Sequence, residues 1–404
     1  MPEVSRRGFL GACIGVGTAA AVASLPVATW ADVLMAAEDR PLQDGTKVLV
    51  LITLYGGNDG LNTVIPYSDN TYQDARPGLA YSADKVVKLD KSYGLNPGMS
   101  GMGEMFHNGS LAIVRGVGYP EPDRSHFRSI DIWQSASLDN STNTGWIGRW
   151  LDFNGADPLS ALHFGRAVPA LAVGEKTVGA LFSRDVRPSE DFATLISALS
   201  QPHPSDSRAM RMVCDAYRSA AHVNKGLEPM FAEDGPLSDD LESDDNGLAV
   251  QLDAVAACIA ADVPTQIYSV ELSGFDTHAD ELGTQQDLLK KLDRAVTSFI
   301  RQISRDKHGK NVTVMAYSEF GRRVAANASQ GTDHGTAGPV FIAGHRVRGG
   351  FYGDDPSLTD LADDDLKVTT DFRDIYHEIL VRGLGSDSEP ILGQGRKELG
   401  FLKA

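Results

Sequence analysis

The chain has 404 residues, 42% of them hydrophobic and 23% charged, with 41 glycines, 19 prolines and three cysteines. This apolar content excludes a disordered chain, the scarcity of cysteine excludes a disulfide scaffold, and glycine without a strict period excludes a collagen-like helix. The formal net charge of −17, with no basic stripe, argues against nucleic-acid binding and suits solubility and cation binding.

Ser5-Arg6-Arg7-Gly8-Phe9-Leu10 opens the chain and is followed by an Ala/Gly-rich apolar run to about Ala28. A positive start, a short apolar stretch and small residues are the three parts of an export signal. The run is too short and too small-residue-rich for a membrane span, which needs roughly 20 apolar residues. The paired arginines resemble a twin-arginine signal, a route that carries folded proteins, so the translocation machinery of that route is an expected partner. Thr29-Trp30-Ala31 offers a cleavage point and Ala21-Val22-Ala23 a competing one. The division expected is a leader over 1–31 and one domain over 32–404, periplasmic or extracellular, with no membrane span after cleavage. An uncleaved N-terminal anchor is the alternative. Cys13 leaves with the leader, and Cys214 and Cys258 are expected as free buried thiols.

In the mature chain, Lys47 to Leu54 is a continuous β-branched and apolar run, the pattern of a strand covered on both faces. Leu111–Gly116, Thr265–Leu272, Asn311–Tyr317 and Pro339–Ala343 read as further strands. Helical spacing places Leu288, Leu289, Leu292, Val296, Phe299 and Ile300 on one face of a helix over Gln285–Ser304. Asp371–Val381 reads similarly, with Asp371 as its N-cap. Strands alternating with long helices predict an α/β fold, a sandwich around a mostly parallel sheet. The stretch of about 201–247, acidic from Asp234 to Asp245, is expected as an inserted helix and solvated loop.

Asp59, Asp276, His278 and Glu319 each follow a predicted strand, and Asp333 and His334 lie in a glycine-bounded loop entering another. In open α/β sheets the loops at the carboxyl edge converge on ligands, so these six residues are candidate metal ligands. Mixed Asp/Glu/His donors suit zinc or manganese, and carboxylate-rich sites also accept calcium or magnesium. Pro120-Glu121-Pro122-Asp123-Arg124-Ser125 leads into a helix. Ser125 is there either a nucleophile in the field of the helix N-terminus or, with Asp123, simply its cap. Arg124 and Arg128 are candidates to clamp an anion. His107, His163, His203 and His308 lack a partner pattern and are expected at the surface or in turns.

Six segments in this order resemble one family: Leu54-Tyr55-Gly56-Gly57-Asn58-Asp59-Gly60-Leu61-Asn62, Ser125-His126-Phe127, Gly274-Phe275-Asp276-Thr277-His278, Ser318-Glu319-Phe320-Gly321-Arg322, Gly331-Thr332-Asp333-His334-Gly335 and Gly349-Gly350-Phe351-Tyr352-Gly353. The chain is similar to the exported family known as domain of unknown function 1501, itself distantly similar to alkaline phosphatases and sulfatases. That resemblance implies a three-layer α/β/α sandwich with a mostly parallel central sheet and two metal ions at its carboxyl edge. It implies Asp59 as the first-strand ligand, Asp276 and His278 as ligands of one metal, His334 as the late histidine ligand and Ser125 between the metals. The chain departs from the phosphatases in the short Asp276-x-His278 spacing and in carrying Glu319-Phe320 where they carry Asp-His. It also lacks the sulfatase formylglycine setting. Two readings follow: an exported metal-dependent hydrolase of small anionic phosphate or sulfate esters, or a non-catalytic binding or assembly protein with a degenerate metal site.

Overall fold

The computed structural model describes residues 27–28, 30–139, 142–165, 168–182 and 247–403. Ten strands form the main sheet: β1 (Val27–Ala28), β2 (Val48–Tyr55), β3 (Leu111–Gly118), β4 (Ala161–Phe164), β5 (Ala180–Phe182), β6 (Ile267–Ser273), β7 (Val312–Ser318), β8 (Gly338–Gly344), β9 (Gly350–Tyr352) and β10 (Thr370–Asp371). Their order is β1-β5-β4-β6-β2-β7-β8-β3-β9, with β10 also on β3. Only β8 runs against its neighbours among these strands; every other pairing is parallel.

Alternation along β2 shows why an unbroken apolar run is required there. Val48, Val50, Ile52 and Leu54 face one core, and Leu49 and Leu51 face the other. The first core is covered by α1 (Trp30–Asp39), α2 (Ser100–His107), α5 (Gly247–Ala260) and α6 (Glu281–Ile303). The second is covered by α3 (His126–Ser135), α4 (Trp146–Asn154) and α7 (Phe372–Glu378). The result is the three-layer α/β/α sandwich with a mostly parallel sheet that the sequence predicts.

Leu289, Leu292, Val296, Phe299 and Ile303 form the buried ridge of α6, which begins four residues before the expected Gln285. Asp371 does cap α7, its side chain accepting from the Arg373 N–H, but the helix continues past Glu378 as a π-helical turn over Ile379–Leu384. The boundary expected after Ala31 falls inside α1, and β1 pairs with β5 ahead of it. Ser5–Leu10, Ala21-Val22-Ala23, His203, Cys214 and the expected insertion as far as residue 246 lie outside the described residues. Cys258 is a free buried thiol, as expected. Among the described residues no helix is long and apolar enough to cross a membrane.

Of the histidines expected at the surface or in turns, His308 lies in the turn after α6 but is buried, and His163 is a buried residue of β4. His308 is fully buried with its Nε2 2.8 Å from Asp262 Oδ1, and buried His163 places Nδ1 2.8 Å from Ser269 Oγ. Burial pushes His163 down to about 4, so it is neutral in the folded protein at ordinary pH.

In the second core Trp133 is stacked between Tyr317 and Phe372, with ring centroids 4.8 and 4.4 Å away, and Tyr376 donates to its carbonyl at 3.1 Å. This stack fastens α3 and α7 to β7, and α3 carries part of the site described below. Trp133→Ala is expected to cost about 3–5 kcal/mol of unfolding free energy, read from denaturant midpoints at unchanged slope.

Candidate metal centre

At the carboxyl edge, the loops after β2, β6 and β7 are drawn together by one buried guanidinium. Arg322 donates to the carbonyls of Gly57 (2.6 Å), Thr332 (2.8 Å), Gly56 (2.5 Å) and Phe275 (3.0 Å), and to Asp276 Oδ1 (2.7 Å). Gly56, at φ +117°, lies so close to the β6 loop that a Cβ there would stand 2.4 Å from the Asp276 backbone nitrogen. Only glycine permits that approach.

Around Asp276 Oδ1 stand three imidazole Nε2 atoms. His278 is 3.0 Å from it, His334 3.1 Å and His126 3.5 Å, while His334 Nε2 is 3.1 Å from His126 Nε2 and 3.0 Å from His278 Nε2. His126, Asp276 and His334 each bring one donor atom within 4.8 Å of the others, a group able to hold a single ion, and His278 Nε2 stands at its side, 3.0 Å from both Asp276 Oδ1 and His334 Nε2.

The far side of each ring strengthens the fit. His126 Nδ1 lies 2.7 Å from Glu319 Oε1, His334 Nδ1 2.8 Å from the Arg124 carbonyl, and His278 Nδ1 3.6 Å from Asp333 Oδ1. Glu319 and the Arg124 carbonyl are acceptors within hydrogen-bond distance, so they hold the ring protons of His126 and His334 on Nδ1 and leave a lone pair on each Nε2, whereas Asp333 stands beyond that distance from His278. Two lone pairs facing a carboxylate oxygen repel unless a cation or a proton lies among them. Protonating all three rings instead would crowd three positive charges into the same few ångströms.

Charges are arranged accordingly. Burial works against ionisation of Asp276, yet Arg322 and His334 hold it down to about 2. Glu319 is also held below its ordinary range despite burial, by His126, the Gly56 N–H (2.9 Å) and the Ser318 hydroxyl (2.9 Å). The bond to Glu319 raises His126 in turn. One side of the cluster is open, with the His278 and Asp276 side chains about half exposed. Structural zinc sites are closed, whereas catalytic sites keep a position free.

The structure places the other expected residues differently. Glu319 and Asp333 stand behind imidazoles instead of among the Nε2 atoms. Asp59 does not reach the cluster: it is fully buried, with Arg76 Nη1 2.5 Å from its Oδ2. Arg76 also donates to the carbonyls of Val324 and Arg323, so this pair braces the loops from beneath. Among the described residues one three-donor group forms, His126, Asp276 and His334, where the resemblance implies two metal ions.

Arg124 and Arg128 are both committed, to Asp365 and to Asp131 with the Leu138 carbonyl, so Arg124 serves the site through its carbonyl. Ser125 precedes His126 and is exposed. Its side chain makes no capping bond, and Asp123 accepts from its backbone N–H instead. Sequence reasoning passed over His126, quoted only inside Ser125-His126-Phe127; the missing imidazole opposite Glu319-Phe320 was its one signal. It also passed over Arg323, whose guanidinium makes no hydrogen bond or ion pair among the described residues although its charge is felt by Asp333 and Asp365.

A family model described as "protein of unknown function (DUF1501)" matches residues 119–397, more than half of the chain, which therefore belongs to that family. Comparison with curated proteins returns no match. Among solved structures, a protein in the alkaline phosphatase superfamily from Vibrio parahaemolyticus is similar at 11% identity and TM-score 0.44, covering 90% of this chain and 72% of that one. The C-terminal periplasmic domain of EcEptC from Escherichia coli, in complex with zinc, is 11% identical at TM-score 0.36 over 75% of this chain and 76% of its own. The lipoteichoic acid synthase LtaP from Listeria monocytogenes is 10% identical at TM-score 0.35, over 91% and 80%.

The buried pair beneath the site has its own signature. Glu281 hydrogen-bonds to Asp59 and accepts from the Thr332 hydroxyl at 2.5 Å; burial first, then the Asp59 charge, pushes its carboxyl up to about 9. The folded chain thus keeps a proton that the unfolded chain releases, so this contribution to stability is full below pH about 4.5 and is lost as pH rises toward 9. Glu281→Gln, which keeps an uncharged donor for Asp59, is expected to flatten that decline in urea midpoints measured across the pH window.

Proposed function

We propose that this DUF1501 protein is an exported, metal-dependent hydrolase of phosphate or sulfate esters, with its ion at the carboxyl edge of the sheet. The observation that carries the reading is the approach of the His126 and His334 Nε2 atoms and Asp276 Oδ1 around one open point. His126, His334 and Asp276 would hold the ion, with His278 at its open side, and this nitrogen-rich set favours zinc, with manganese next, over calcium or magnesium. Such an ion supplies Lewis acidity toward an ester oxygen and lowers the pKa of an attacking hydroxyl or water.

The chain's own groups then divide the work. Glu319 and the Arg124 carbonyl would hold the ring protons of His126 and His334 on Nδ1 and keep each Nε2 aimed inward. Arg322 keeps Asp276 ionised and oriented. Ser125, next to His126 in the chain and making no capping bond, would attack. The N–H groups of the first turn of α3 and the uncommitted Arg323 favour the anionic group that is transferred. Phe127, the most exposed large apolar side chain among those described, offers a surface to the organic part of an ester. The Arg6-Arg7 start supports export.

The commitment of Arg124 and Arg128 to carboxylates favours the second reading, an exported binding or assembly protein. Two measurements separate the readings. Elemental mass spectrometry of the protein purified without chelators is expected to find about one equivalent of zinc or manganese. Asp276→Ala and His334→Ala should each lose that metal and any turnover of aryl phosphate or sulfate esters while unfolding cooperatively; a metal-free wild type would sink the hydrolase. Glu319→Gln should weaken metal binding by about 10–100-fold in chelator competition.

Ser125→Ala tests the nucleophile. A loss of turnover by several orders of magnitude at unchanged metal content is expected, and a loss below about tenfold would pass the attack to water.

A further inference from the structure

The opposite edge of the sheet carries a second feature. A cleft of about 450 Å³ opens between the end of α2, the last turns of α6, the end of β8 and the C-terminal segment, and its wall includes Asn108, Ser110, Thr297, Arg301, His345 and Lys403. In a chain of net charge −17, the cations here have few anionic partners. Arg301 makes no side-chain hydrogen bond or ion pair among the described residues. Lys403 Nζ donates only to the His345 carbonyl, at 2.8 Å, and Glu104 is the one carboxylate residue on the wall.

The positive charge continues beyond the cleft. Arg346 reaches only the carbonyls of Arg382 and Lys403, at 3.4 and 3.2 Å. Lys47 at the start of β2 has no carboxylate within ion-pair distance among the described residues. Burial, followed by Arg346 and Arg382, holds it below the ordinary lysine range. Like charges kept together at this cost are relieved by an anion.

The cleft hydroxyls give the ligand a second feature. Ser110 Oγ donates to Asn108 Oδ1 (2.5 Å) and Thr297 Oγ1 to the Asp293 carbonyl (2.6 Å), so each turns lone pairs, not a proton, toward a guest. Cations at the rim with acceptors between them match a molecule that carries oxyanions outside and hydroxyl donors within. We infer that this cleft is a binding site for a phosphorylated or sulfated polyol of sugar size, remote from the metal centre by the length of the strands.

Calorimetric titration of the full chain with inositol hexakisphosphate, in excess EDTA so that metals play no part, tests this. Saturable binding that weakens with added salt is expected, and Arg301→Gln with Lys403→Gln should reduce the affinity by about tenfold or more. Both side chains are exposed, and an unchanged melting temperature will show that the variant folds. Absence of saturable binding, or equal affinity in the double variant, would overturn the inference. So would loss of binding in Asp276→Ala, which would move the ligand to the other edge. The first two of these results leave the hydrolase reading untouched, because it rests on different residues.

Discussion

The buried guanidinium of Arg322 is the interaction on which the site depends. A guanidinium removed from water is stable only when its donors find acceptors, and here they find four loop carbonyls and one carboxylate oxygen. The acceptors come from the loops after β2, β6 and β7, so one side chain fixes the relative position of three strand ends. Asp276 is part of this same requirement. It is held ionised by the group that positions its loop, which makes the carboxylate facing the imidazoles a by-product of solving a burial problem.

A second buried pair lies beneath. Arg76 and Asp59 tie the β2 loop to Val324 and Arg323, and Glu281 joins them from the start of α6 through its protonated carboxyl. Removing either charge would strand the other in a dry interior, a loss of about 3–5 kcal/mol for such pairs. The carboxylate nearest in sequence to the first strand is therefore spent on the foundation. The acidic residues of this edge divide into three kinds of work: Asp59 braces, Glu319 orients the His126 ring while Asp333 stands behind His278, and Asp276 alone faces the open point.

That division explains what the sequence could and could not reveal. The strands were legible because burial on both faces demands unbroken apolar runs, as over Val48–Tyr55, and α6 because its ridge repeats at helical spacing. The carboxyl edge was legible because Asp59, Asp276, His278 and Glu319 each follow a strand and Asp333-His334 leads into one. The short strands Ala161–Phe164 and Ala180–Phe182 were not, since three or four residues carry no period. Nor could local pattern distinguish a ligand from an orienting group, because the distinction lies in which atom a side chain presents to a residue about 200 positions away. Ser125 drew attention for its place at a helix start, while His126 beside it, whose partners are Glu319 and His334, carries the stronger geometry.

The polar groups left uncommitted at the site are as informative as those that are satisfied. Around the cluster nearly every donor and acceptor has a partner, while the Ser125 hydroxyl makes no capping bond and Arg323 Nε has no partner among the described residues. A site built only to hold an ion for stability would close over it and use these groups internally, as the Arg76–Asp59 pair does a few residues away. The asymmetry between the paired Arg76–Asp59 foundation and the half-exposed Asp276 rim is the physical argument for a site that a further molecule can reach.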